Sequence, residues 1–300
     1  MKLRLSILAG LCAVFAGGTP SVHADGAGVS GTSGVHYYLS LGDSLADRGG
    51  NPEDYADKLY VALHASDPKL ELVKLGCGGE SAQSMIEGSV LPSVNSSCGP
   101  PSFYLHRYPH KTQLAEAVAF LRAHAGKVSL VTIDIGGNDV QDCLVVLNFS
   151  EDCLNGDLPA LTANLSTILA ELRTVAGPDV PIVGMNYYDA FSGLWVLGDV
   201  LFGGDESLAQ QLALASVAFV VQANDALEAT YDAAGDAWAD VETAFRSTDF
   251  TDTADLPGFG TVPLSVFEDC TLTHFCTSLD GHPNDAGYAV IAQAFAAALP

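Results

Sequence analysis

Short, nearly continuous apolar runs alternate along this chain with longer stretches whose apolar positions recur at helical spacing. The runs 35–41, 70–75, 128–135, 181–186 and 238–241 have the length and content of strands. Residues 128–135 are apolar almost throughout, as expected of a strand covered on both faces. Helical spacing fills the gaps. Residues 55–65 carry Leu59, Val61, Ala62 and Leu63, and 112–124 place Leu114, Ala117, Val118 and Leu121 on one face behind Thr112 as N-cap. Residues 158–176 form an amphipathic helix stopped by Gly177-Pro178. Residues 207–234 form a second long helix. Its densest apolar part, 212–221, is too short to cross a bilayer and predicts burial against a sheet. Residues 283–299 close the chain, with Pro283 in the first helical turn. Strand–helix alternation of this kind predicts one α/β domain over 35–300, a three-layer α/β/α sandwich around a mostly parallel five-stranded sheet. Segments 88–110, 187–206 and 242–279 read as rim loops or insertions.

The first 24 residues do not belong to that pattern. Lys2 and Arg4 form a charged start, residues 5–16 an apolar stretch, and Val22-His23-Ala24 a small-residue cleavage site. This is the layout of a signal peptide, and the apolar stretch is too short to span a membrane. Cys12 does not make it a lipoprotein signal, because Leu11 stands where a small residue is needed. The mature chain is expected to start near Asp25 with a Gly/Ser-rich leader over 25–34, and to be secreted.

Charge narrows the partners. Twelve Lys and Arg face 36 Asp and Glu, for a formal charge of −24. So acidic a surface repels phosphate backbones and anionic lipid headgroups, which argues against nucleic acid. Scarce lysine fits a saline habitat and plain solubility equally well. Beyond the signal, Cys77, Cys98, Cys143, Cys153, Cys270 and Cys276 make an even set in an exported chain, which points to disulfides. Sequence proximity favours Cys77–Cys98, Cys143–Cys153 and Cys270–Cys276. No pair has CxxC spacing, so zinc is disfavoured. His106 and His110 are four apart, but Pro109 between them breaks the helix that would align them.

Four short blocks hold the chemistry. Gly42-Asp43-Ser44-Leu45 follows the first strand, where open α/β sheets gather their ligands. Ser44 there offers a hydroxyl to a cleft and its amide to developing negative charge. Gly78-Gly79-Glu80-Ser81 follows the second strand, and adjacent glycines let a backbone amide approach a ligand. Gly136-Gly137-Asn138-Asp139 follows the third and supplies a neutral carboxamide donor. Asp280-Gly281-His282-Pro283 precedes the last helix, and its imidazole titrates near working pH, as a base for a serine must. Taken singly, each block also fits a helix cap, a tight turn or a surface histidine. His274 is the nearest rival base, but lies inside the expected Cys270–Cys276 loop.

As an ordered set, the four blocks resemble those of the SGNH, or GDSL, hydrolases, a family of serine esterases and lipases, and their setting is similar to secreted actinobacterial members. The resemblance runs from about Tyr37 to Pro300. It implies a flavodoxin-like α/β/α fold, Ser44 as nucleophile and His282 as general base. It also implies an oxyanion hole made from the amides of Ser44 and Gly79 with the side chain of Asn138. No cofactor or metal is implied, and a monomer acting on a small-molecule or lipid ester is expected. One position departs from the family pattern. The usual acid stands three residues before the histidine, where this chain has Leu279. Either Asp280, two residues before, takes that role, or a backbone carbonyl orients a Ser–His dyad.

Other readings compete. Gly42-Asp43-Ser44-Leu45-Ala46 nearly matches the G-x-S-x-G elbow of α/β-hydrolases, but that elbow follows several strands and Ser44 follows the first. A carbohydrate O-acetylesterase or a thioesterase would use the same fold. A non-catalytic binding module would make all four blocks incidental. Tyr187, Tyr188, Phe191, Trp195 and Phe202 render one rim segment aromatic, either as an acyl site or as core cover.

Overall fold

The computed structural model describes residues 34–47, 54–88, 108, 112–140, 143, 149 and 151–300. The expected signal peptide, the leader up to residue 33, His106, His110 and Cys98 lie outside the described residues. Gly34–Pro300 form one compact unit.

Five parallel strands make its central sheet: β1 (His36–Gly42), β2 (Leu70–Lys74), β3 (Val128–Asp134), β4 (Ile182–Met185) and β5 (Ala237–Ala239). Their order is β2-β1-β3-β4-β5. The chain thus leaves β1 for a neighbour on one side, then crosses to β3 on the other. That reversal opens a crevice at the carboxyl ends of β1 and β3, the general ligand site of open α/β sheets. Register places Gly42 opposite Asp134 at the crevice edge.

Helices cover both faces because both faces are apolar. Alternate residues of one strand point to opposite sides, so Tyr38 and Leu130 join one core while Leu39 and Val131 join the other. On the first side, α1 (Tyr55–Ser66) and α7 (Asp285–Ala298) contribute Tyr55, Leu59, Tyr288, Ile291 and Phe295. Tyr55 and Phe295 stack with ring centroids 4.5 Å apart. The other side is packed by α2 (Ala82–Glu87), α3 (Gln113–Ala123), α4 (Glu151–Ala176) and α5 (Glu206–Ala234). Thr112 caps α3 as its sequence predicts, its side chain accepting from the Ala115 amide. By length and composition α5 is apolar enough to cross a membrane, although its densest run alone is not, and 33% of its most apolar window is buried in the fold.

Three boundaries differ from expectation. Helix α4 starts at Glu151 rather than 158, because Gly156 and Pro159 are absorbed within it rather than breaking it. Pro283 does not begin the last helix. It ends β9 (Asp280–Pro283), and Asn284 caps α7 by accepting from the amides of Ala286 and Gly287. Segment 242–279 is more than a loop. It holds an antiparallel ribbon, β6 (Thr253–Leu256) with β7 (Gly260–Pro263), then α6 (Leu264–Leu272) and β8 (Thr273–His274), which pairs antiparallel with β9. Disulfides join Cys143 to Cys153 and Cys270 to Cys276.

Candidate active site

The Ser44 block is shaped by what surrounds Gly42. Its φ of +135° is open to glycine, and a Cβ there would lie 2.3 Å from both the carbonyl oxygen and Oδ1 of Asp134. Gln113 grips the same residue from α3. Its Oε1 accepts from the Gly42 amide at 2.6 Å and its Nε2 donates to the Gly42 carbonyl at 2.9 Å. Beyond that clamp, the Leu45 amide donates to Asp43 Oδ1 at 3.0 Å, closing a turn that presents Ser44.

Ser44 Oγ stands 2.7 Å from His282 Nε2, across 238 residues of sequence. The other ring nitrogen, Nδ1, lies 2.6 Å from Asp280 Oδ1, which also accepts from the His282 backbone amide at 3.1 Å. Asp280 therefore holds the imidazole by two bonds. Partial burial works against its charge, but those bonds from His282 outweigh it and hold the carboxyl below its ordinary range. Leu279, at the family's usual acid position, has a left-handed φ of 57° and is 51% exposed. It turns the chain from a helical end into β9 and leaves Asp280 to face the ring. Tyr188 Oη donates to the Gly281 carbonyl at 2.7 Å and pins the strand between Asp280 and His282.

The expected oxyanion donors are unequally placed. Neither the Ser44 amide nor the Gly79 amide, in a turn at φ +80°, donates to an acceptor among the described residues. Asn138 sits in a 3₁₀ turn, Gly137–Asp139, rather than capping a longer helix. Its Nδ2 donates to the Glu80 carbonyl at 2.9 Å and to Asp43 Oδ2 at 3.2 Å, so both its hydrogens have partners. Asp139 Oδ2 accepts from the Ala82 amide at 2.8 Å, tying this turn to the glycine loop. Burial pushes the Glu80 carboxyl up to about 7 and that of Asp139 up to about 6.

A cleft of about 600 Å³ opens beside this constellation, lined by Ser44, Asn138, Asp280 and His282 on its polar side. Gly79 does not line it. Its other wall is apolar, from Leu161 of α4 and from Phe219, Val220, Ala223 and Leu227 of α5. Exposure grades along it. Leu201 and Leu279 at the mouth are 36% and 51% exposed, whereas Leu161 and Leu227 are each 1% exposed and mark the inner end. Gly136, at φ +130°, lets that inner end approach the sheet, since a Cβ there would come within 3.2 Å of Leu227 and 3.3 Å of Leu161. The rim aromatics divide. Tyr187, Tyr188 and Phe191 line the cleft, while Trp195 and Phe202 pack into a satellite core.

The α5 wall was missed from sequence because a helix buried on one face shows the same apolar stripe whether it covers core or cleft. Gln113 left no signal at all. Among the described residues, the one metal-like grouping is Cys143, Cys153 and Asp157, and its two sulfurs are already joined in a disulfide.

Comparison with known proteins follows the same lines. A family model described as the GDSL-like lipase/acylhydrolase family matches residues 40–290. An extracellular lipase from Streptomyces rimosus superposes with TM-score 0.54 at 18% identity, over 88% of this chain and 100% of its own. A lipase from a goat rumen metagenome gives TM-score 0.51 at 15% identity, over 88% of this chain and 97% of its own. No curated protein matches the chain significantly.

Proposed function

The chain belongs to the GDSL-like lipase/acylhydrolase family and is a carboxylic ester hydrolase, and on that premise we propose that it works through a Ser44 acyl-enzyme on esters with an apolar acyl chain. The observation that carries the reading is the unbroken line from Ser44 Oγ through His282 to Asp280 at the edge of the apolar cleft. His282 Nε2 takes the Ser44 proton as Oγ attacks the ester carbonyl, and returns it to the leaving alcohol. Asp280 fixes the tautomer and stabilises the imidazolium that forms. The Ser44 amide receives the oxyanion from the cleft wall, with the Gly79 amide, which has no acceptor among the described residues, approaching from beside the cleft. Asn138 joins them when its carboxamide releases one of its present acceptors. Water then repeats the cycle and frees the acid.

The inner end of the cleft suits a hydrocarbon chain. Each methylene buried is worth about 0.8 kcal/mol, roughly fourfold in kcat/KM if held in the transition state. An acetylated sugar would leave that end empty. Export fits the layout of residues 1–24 and the two disulfides.

Ser44→Ala tests the core of this reading. It should lower kcat by about 10⁴–10⁶-fold and abolish labelling by a fluorophosphonate. Near-normal esterase activity in that variant refutes it. p-Nitrophenyl esters from acetate to palmitate, beside acetylated xylan and acyl thioesters, test the substrate class; a preference for either of the latter two would move the assignment there.

A further inference from the structure

Beneath the nucleophile lies a carboxyl that the hydrolytic reading leaves unused. Asp134, the last residue of β3, is wholly buried. Its Oδ1 accepts from Tyr55 Oη at 2.6 Å and its Oδ2 from the Asp43 amide at 3.1 Å. The same amide also reaches the Asp134 carbonyl at 3.0 Å. Because a Cβ at position 42 would lie 2.3 Å from Asp134 Oδ1, this side chain fills the space that Gly42 leaves. Asp134 is fitted to the turn that presents Ser44.

Asp43, 3% exposed, reaches the opposite way. Besides the Leu45 amide, its carboxylate accepts from Asn138 Nδ2 at 3.2 Å and from Tyr187 Oη at 3.4 Å. The two carboxyls are also hydrogen-bonded to each other. Among the described residues no Lys or Arg forms an ion pair with either. Two touching buried carboxyls cannot both carry charge. Burial raises both carboxyls, with the charge of Asp43 as the second cause for Asp134. Because Asp43 already accepts from Leu45, Asn138 and Tyr187 it is the one held as carboxylate, so the shared proton sits on Asp134 and is donated to Asp43.

We propose that Asp134 is a positioning residue for hydrolysis: by donating a hydrogen bond to Asp43 it sets the carboxylate that holds the Asn138 carboxamide and the Ser44 turn. The inference rests on the Ser44–His282 reading. With that donor gone, the Asp43 carboxylate keeps, among the described residues, hydrogen bonds from Leu45, Asn138 and Tyr187 alone. It then binds the Asn138 amide more tightly, and Asn138 yields less readily to an oxyanion. Such an effect falls on the transition state and spares ground-state binding.

The test compares Asp134→Asn, which keeps a donor of the same shape, with Asp134→Leu, which keeps the volume alone. Both are assayed as the full chain on a soluble p-nitrophenyl ester, with near-UV circular dichroism as the check on folding. The asparagine variant should hold kcat within about threefold. The leucine variant should lose about 100-fold in kcat with KM changed less than threefold, the scale of one oxyanion-directed hydrogen bond. A folded leucine variant with wild-type kcat, or a folded asparagine variant as impaired as leucine, overturns the proposal. Should leucine prevent folding, Asp134→Thr against Asp134→Val makes the same comparison of donor with no donor; a tenfold kcat advantage for threonine supports the proposal, and equality overturns it. Fluorophosphonate labelling of Ser44 in the wild type keeps the outcomes apart, because its failure would strike the parent reading instead.

Discussion

Replacing Asp280 by alanine tests the acid of the proposed triad. The substitution removes two bonds, from His282 Nδ1 at 2.6 Å and from the His282 amide at 3.1 Å. Only the first strengthens as the imidazole becomes imidazolium. A hydrogen bond to a charged group is worth about 1.5–3 kcal/mol, or roughly 10–150-fold in rate. Loss of the preferred tautomer adds to that. In buried triads, removing the acid costs about 10⁴-fold. Here the His282 and Asp280 side chains are 47% and 51% exposed, so water replaces part of what is lost. The expected fall in kcat is therefore about 10²–10³-fold, with KM little changed. Asp280→Asn should fall comparably, because an amide cannot carry the charge. Steady-state kinetics on p-nitrophenyl butyrate, with thermal melts to confirm folding, read this directly. A loss under tenfold in a folded Asp280→Ala would show that the imidazole is oriented by something else.

Three further outcomes are expected. Asn138→Ala should reduce kcat by about 10²–10³-fold, the scale of one oxyanion donor, and a change below tenfold in pre-steady-state acylation would remove it from that role. Ala223→Phe, filling the cleft at the α5 wall, should lower the ratio of octanoate to acetate kcat/KM at least tenfold; an unchanged ratio would place the acyl chain elsewhere. Burial, with the charge of Asp269 second, raises Asp189 to about 8, and burial raises Asp269 to about 7. Carboxyls raised in the folded state stabilise it below their unfolded range and lose that contribution as pH climbs through the folded values. Tm should therefore fall between pH 5 and pH 8.5, by about 2–4 °C per kcal/mol, and Asp189→Asn should flatten the slope seen by calorimetry.

The sheet was legible because its strands are covered on both faces and so are apolar almost end to end, as in β3. Ser44, Asn138 and His282 were legible because each stands at the end of an element beside a glycine or proline that marks the boundary. Gly42 needed coordinates, since its importance lies in the approach of Asp134, more than 90 residues away in sequence. Pro283 misled for a local reason: proline suits the first turn of a helix and the last residue of a ribbon strand equally. Helix α4 hid its start behind Pro159, which packing and the Cys143–Cys153 bridge tolerate. The sequence left Asp280 and a backbone carbonyl as alternative partners for His282, because the choice depends on Leu279 turning left-handed and so aiming Asp280 at the ring.

The two-stranded ribbon of β8 and β9 has a consequence for where the enzyme can work. Asp280 and His282 both ride on β9, so they move as one part, joined to the sheet side by the Ser44–His282 contact and by the Tyr188 bond to Gly281. The part is fastened by Asn284, whose Nδ2 donates to the carbonyls of Thr271 and Thr273, and by the Cys270–Cys276 bridge flanking β8. Reduction of that bridge would loosen the ribbon that carries Asp280 and His282 while the sheet and its cores stayed intact. A folded but idle protein is the form expected under reducing conditions, and oxidation of the bridge would be what arms it.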